Sequence, residues 1–168
     1  MTRMEILKYP DERLRQVAER VTVFDEHLAE LAYKMIDLMH EKKGIGLAAP
    51  QVGESIRLIV VSPSGKPGDD YVLVNPEVAP LSGTETCEEG CLSFPGIYAP
   101  VQRPNKIFRR AQNLTGERVE FEAEGLMARI IMHECDHLNG VLFIDRLSLD
   151  DILPINSKLR ELERRKKM

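Results

Sequence analysis

The segment Gly125–Asn139 constrains the fold most, because it is apolar on nearly every face of a helix: Leu126, Met127, Ala128, Ile130, Ile131, Met132, Cys135 and Leu138 leave no broad polar side. A helix of that kind belongs in a protein's interior. Gly140 stands where the helix has to close. Yet the same segment carries His133, Glu134, Asp136 and His137. Charged groups inside a core need partners. Residues i and i+4 of a helix share a face, so His133 and His137 can hold one ion from a single surface. Glu134 lies one residue round, close enough to work on a water bound there without ligating the ion itself.

Other elements follow from period and punctuation. Leu28, Leu31, Ala32, Met35, Leu38 and Met39 form an apolar stripe at helical spacing, which predicts a helix over Asp25–Lys43. Gly44 is expected to supply its left-handed cap. Residues 44–51 read as a loop, although its apolar, almost uncharged sequence is odd for a surface connection. Arg57–Ser62 and Tyr71–Asn75 read as strands joined by the Pro/Gly/Asp-rich stretch between them. Lys106–Gln112 and Glu117–Ala123 predict a second hairpin, whose later arm alternates Val119, Phe121 and Ala123 with charged residues. Ser148–Lys167 predicts a last, highly charged helix, packed through Ile152, Ile155, Leu159 and Leu162. Hairpins between flanking helices indicate an α+β fold, with antiparallel sheets around a central buried helix and a C-terminal helix. At 168 residues, one domain over 1–168 is expected.

Composition narrows the classes of function. There are 23 Lys and Arg against 27 Asp and Glu, a net charge of −4, which argues against a globally basic, DNA-binding protein. No apolar run approaches a membrane span. The first twenty residues mix acids and bases, unlike a secretory or transit peptide, so a cytoplasmic location is expected. Three cysteines without export features suggest free thiols or metal ligands rather than disulfides.

A catalytic ion wants three protein ligands and an open position. After His137 the next position at the spacing of a third histidine is Phe143, which cannot ligate. Cys135 sits two residues from each histidine, about 200° round the helix, and reads as a small buried apolar residue. Cys91 and Cys87 are equal candidates on composition, with Glu161 and Glu163 as outsiders. His27 and His40 lie off the apolar stripe of the first helix and read as solvated.

Three segments, Gly44-Ile45-Gly46-Leu47-Ala48-Ala49-Pro50-Gln51, Glu89-Gly90-Cys91-Leu92-Ser93 and His133-Glu134-Cys135-Asp136-His137, together resemble the three signature motifs of the peptide deformylase family, in its order and at its typical separations. The resemblance implies a hydrolase that removes the formyl group from N-formylmethionyl nascent peptides. It implies Cys91, His133 and His137 as metal ligands, Glu134 as general acid/base, and Gln51 with the Leu92 backbone N–H as donors to the formyl oxygen. It places Ile45 and Gly46 along the substrate backbone, and Arg103, Leu126 and Ile130 near the pocket for the methionine side chain. Fe2+ is the implied ion, with Zn2+, Ni2+ or Co2+ as substitutes. Met132 departs from the family's usual Gln, which bears on any hydrogen bond that position gives to a ligand. An internal-cleaving metallopeptidase and a metal-binding module without turnover are the alternatives. Residues 158–168 hold six basic residues against two acidic ones. A helix dipole accounts for that bias, and ribosome contact is the functional alternative.

Overall fold

The run Leu58-Ile59-Val60-Val61 has no polar face, and all four side chains are buried. A strand of that composition has to be covered on both sides. The protein, here a computed structural model describing residues 4–166, does this with one helix on each face of a sheet. Its strands are β1 (Gly46–Ala48), β2 (Leu58–Val61), β3 (Tyr71–Ser82), β4 (Glu85–Cys91), β5 (Phe94–Arg103), β6 (Lys106–Gln112) and β7 (Arg118–Glu124). Five of them form an antiparallel sheet in the order β1-β2-β3-β6-β7, and β4 and β5 pair as a separate hairpin.

The first helix, α1 (Glu26–Glu41), starts at Asp25, whose carboxylate accepts the Leu28 N–H at 3.1 Å. It lays Leu28, Ala32, Met35 and Met39 against Leu58, Val60 and Val74. The second, α2 (Gly125–Leu138), covers the other face, where Ala128, Ile131 and Leu138 meet Ile59, Val61, Leu73 and Ile107. Alternate residues of β2 thus serve two different cores. A third apolar cluster joins Phe94, Ile97, Ala99 and Val101 of β5 to Phe143, Leu159 and Leu162. The α+β class and the antiparallel pairing expected from the sequence are both present.

Several elements differ from the sequence reading. The expected loop at 44–51 is instead β1 followed by a 3-10 turn, Ala49–Val52, because its apolar side chains pack beneath α1 and α2. The left-handed cap of α1 is Lys43 (φ 59°), not Gly44, and the Gly44 and Lys43 N–H groups bond back to the carbonyls of Met39 and His40. Gly44 is small for another reason: a Cβ there would lie 2.7 Å from the Leu92 side chain. His40 is not free in solvent, since its Nε2 lies 2.6 Å from Asp70 with both side chains 15% exposed. The strand read as Tyr71–Asn75 runs on to Ser82. The β4–β5 hairpin had no counterpart in the sequence reading.

The terminal helix is broken. α3 (Leu149–Ile152) gives way to a 3-10 turn at Leu153–Ile155 before α4 (Asn156–Lys166) resumes. Pro154 lacks an N–H and crowds the preceding turn, so a continuous helix cannot pass through it. The last expected helical residue, Lys167, lies outside the described residues.

Candidate active site

The centre of the site is α2 between His133 and His137. Its C-terminus is fixed by Gly140 (φ 72°), with Val141 and Gly140 donating to the carbonyls of Asp136 and His137. The two imidazole centroids are 5.2 Å apart. Phe143, where a further histidine would stand in other helix-motif enzymes, packs its ring on His133 instead.

Cys91 arrives from a different element. The register of the β4–β5 hairpin shifts between Gly90 and Cys91, so the turn through Leu92 and Ser93 is tight and the thiol swings toward α2. Its Sγ lies 3.4 Å from His137 Nε2. One donor atom from each of Cys91, His133 and His137 falls within a 4.8 Å group. Cys87 and Cys135 are outside it, and Glu161 and Glu163 are engaged elsewhere, with Arg164 and Tyr9. Of the thiols, the sequence pattern left Cys91 and Cys87 level; the hairpin brings only Cys91 to the histidines. Burial pushes the Cys135 thiol up to about 12, in keeping with an inert packing role.

Two imidazoles and a thiol suit a transition-metal ion, and the surrounding hydrogen bonds are arranged for one. His133 Nδ1 lies 2.8 Å from Glu89, which leaves Nε2 for a ligand. Glu89 is itself gripped by Arg103, at 2.6 and 3.0 Å, and by Arg129 at 2.6 Å. Burial raises the Glu89 carboxyl, but His133 and Arg103 outweigh it and hold the group down to about 2. Arg129 also donates to the carbonyls of Val101 and Glu85, which ties α2 to the hairpin that carries Cys91. Neither Glu89 nor Arg129 received a role from the sequence. The signal was there: a lone cation one turn before His133 on an apolar helix requires a buried carboxylate.

Glu134 is 4% exposed, and its Oε1 has no hydrogen-bond partner among the described residues. Desolvation pushes its carboxyl up to about 7, against the opposing pull of His133. A carboxyl so placed exchanges protons near neutrality. Gln51, 1% exposed, has its Oε1 fixed by the Ala48 N–H at 2.9 Å, while its Nε2 points at Ser93 Oγ (3.0 Å) and Cys91 Sγ (3.5 Å).

These groups open into one cleft of about 590 Å3, lined by Ile45, Gly46, Gln51, Leu92, Leu126, Ile130 and Glu134 among others. Arg103 does not line it. Alternation along β5 turns that side chain inward behind Glu89, where it also pairs with Asp136. Arg129 reaches the cleft wall instead. Met132 lines a separate pocket together with Cys135 and packs against the sheet–α2 core, and the His133–Glu89 bond forms without it.

The fold and the donor set together define a metal-binding class: a helix-borne His-Glu-x-x-His pair completed by a thiol from a separate hairpin. Residues 3–151 match the family model described as polypeptide deformylase, and the chain belongs to that family. It is 46% identical over 164 residues to the peptide deformylase of Chromobacterium violaceum, covering 98% of each. It is 45% identical over 165 residues to the chloroplastic peptide deformylase 1B of Oryza sativa subsp. japonica, covering 96% of this chain and 61% of that protein. The crystal structure of a plant peptide deformylase superposes with a TM-score of 0.96 at 44% identity, over 99% of this chain and 92% of the other. The chain thus spans about three fifths of the rice relative's length.

Proposed function

We propose that the protein is a metal-dependent hydrolase that removes the formyl group from N-formylmethionyl peptides, releasing formate. The observation that carries this reading is the convergence of Cys91, His133 and His137 on one point, beside an unpartnered buried Glu134 and the amide of Gln51. Cys91, His133 and His137 would hold the ion. When bound, it supplies Lewis acidity and makes a water acidic enough to lose its proton near neutral pH.

The chain's own groups do the rest. Glu134 takes a proton from the attacking water and returns it to the departing amine. Gln51 Nε2, held in place through its Oε1, donates to the oxygen that becomes negative as the formyl carbon turns tetrahedral, and the Leu92 backbone N–H is its companion donor. Ile45 and Gly46, at the start of the edge strand β1, align the peptide as an added strand. Leu126 and Ile130 take the methionine side chain, with Arg129 in the place first assigned to Arg103. A thiol from the hairpin as third ligand favours this reading over an internal-cleaving peptidase, which uses an imidazole or an acid there.

The ligand set alone suits Zn2+. The family resemblance favours Fe2+, and the half-buried Cys91 thiol beside a ferrous ion would be open to oxidation. The test is formate release from formyl-Met-Ala-Ser by protein purified without oxygen, with metal content measured alongside. High activity is expected from the Fe2+ form, decay in air, and a much slower Zn2+ form. No formate from any reconstituted form would overturn the reading, and equal, air-stable rates would overturn the choice of iron. A bacterial-type cytoplasm is the proposed setting; among the described residues no helix is long and apolar enough to cross a membrane.

A further inference from the structure

The cleft carries charge that the proposed chemistry does not use. Lys8, Lys42 and Lys43 line the same cavity as Glu134 and Cys91, and all three are exposed. None of them forms a salt bridge among the described residues. Lys8 is made less basic by desolvation and by the charge of Lys42, with Cys91 and Glu5 opposing, so two of these cations lie near enough to feel each other. Glu88 is the one exposed acid on the same lining, so the three lysines leave a net positive rim, which favours a bound anion.

The path of a bound peptide leads there. Gly46 abuts the catalytic carboxylate, because a Cβ on it would run into Glu134 and come within 2.8 Å of Ile130. Beyond Gly46 the chain from Leu47 to Gln51 is wholly buried, so an extended ligand cannot continue in that direction. In the other direction Ile45 and Gly44 lead to Lys43 and Lys42, with Pro95 and Gly96 also lining the cleft. Four residues of chain span at most ~13 Å, and less here because Lys43 is left-handed, so the two amines lie within reach of a substrate residue two to four places past the methionine.

Resting on the deformylase reading, the geometry points to Lys8, Lys42 and Lys43 as a carboxylate-selecting subsite, which favours formylmethionyl peptides bearing a negative charge two to four residues beyond the methionine. The charge is supplied by an acidic side chain or by the free C-terminus of a short peptide. Exposed ion pairs are individually weak, so the summed preference is on the order of fivefold in kcat/KM, fading as salt is added.

The experiment compares three formylmethionyl tetrapeptides: an all-neutral C-terminal amide, the same amide with Asp at the third position, and the neutral peptide with a free C-terminus. Ratios of kcat/KM are taken within each protein, and binding of the unformylated peptides is measured by calorimetry. In the intact protein both charged peptides should exceed the neutral amide by about fivefold at low salt and approach it near 0.5 M salt. Which arm is larger tells side chain from C-terminus. The ratio should collapse toward one in the Lys42→Gln/Lys43→Gln/Lys8→Gln variant and invert with Lys42→Glu/Lys43→Glu. Turnover of all three peptides at equal rates in the intact protein would overturn the subsite, as would a preference that survives in the triple variant. A ratio of one accompanied by competitive inhibition from a short oligoribonucleotide would assign the lysines to nucleic acid instead. Absence of formate from every peptide would defeat the deformylase reading, while the calorimetric ratios would still decide the subsite.

Discussion

Glu89 is bonded to three other side chains of the site. One buried carboxylate accepts from Arg103 and Arg129 and orients His133. Removing it leaves two guanidinium groups buried without that partner and frees the imidazole to turn. Glu89→Ala should therefore cost about 3–5 kcal/mol of stability, the range for breaking a buried pair, and weaken metal binding by roughly 10–100-fold. Thermal melts and competition with a chelator measure the two separately; unchanged metal affinity would mean that His133 needs no orienting partner. Glu134 is the opposite case, since its Oε1 has no hydrogen-bond partner among the described residues and its proposed role is to carry a proton. Glu134→Ala should keep the ion at full occupancy while kcat/KM falls by roughly 10²–10⁴. Depleted metal in that variant would make Glu134 a ligand.

At the scale of elements, the close approaches between β1 and α2 decide which small residues are indispensable. The glycine at 46 has ordinary backbone angles, so its lack of a side chain serves space and not conformation. Gly46→Ala should push the Glu134 carboxylate aside and lower kcat by on the order of 10²-fold, as expected for a misplacement near 1 Å, with metal content unchanged. A variant with full kcat would show that the carboxylate relaxes freely. The two helices were legible from sequence because their apolar spacing is repeated over three or more turns. Cys91's hairpin was not. Ile97, Ala99 and Val101 do alternate inward, but Pro95, Gly96 and Pro100 fall among the intervening positions, and those residues ordinarily mark turns. The same masking hid Glu89, whose role exists only once β4 is laid beside α2. Helical spacing singles out both histidines and Glu134; Cys91 is named only through the resemblance of its motif, because the pairing that brings it to the histidines is not encoded in a period.

At the scale of the whole molecule, the basic end of the chain has two jobs that a simple truncation would confound. Leu159 and Leu162 on α4 are buried against Phe94 and Phe143, the cluster that backs the hairpin carrying Cys91. Tyr9, stacked on Phe94 at 4.8 Å, reaches across to Glu163 with its hydroxyl at 2.8 Å. Deleting residues 158–168 therefore strips two core leucines, each worth about 2–5 kcal/mol when lost, and the protein should unfold at far lower temperature or not fold at all. The proposed catalytic groups end at His137, yet the deletion removes core packing as well as charge. Ribosome contact has to be tested on charge with the leucines kept. Arg160, Arg164 and Arg165 are exposed, and among the described residues only the last two form ion pairs, both with Glu161 on the same helix. Surface ion pairs of that kind contribute little, so Arg160→Gln/Arg164→Gln/Arg165→Gln should melt within about 1 kcal/mol of the parent and cleave short formyl peptides normally. If α4 meets ribosomal RNA, co-sedimentation with ribosomes should fall in this variant, and in the parent it should weaken steadily with added salt, because releasing counterions into a saltier solution gains less entropy. Sedimentation that resists both salt and the substitutions would leave α4 with packing as its whole purpose, its cations serving the helix dipole and solubility.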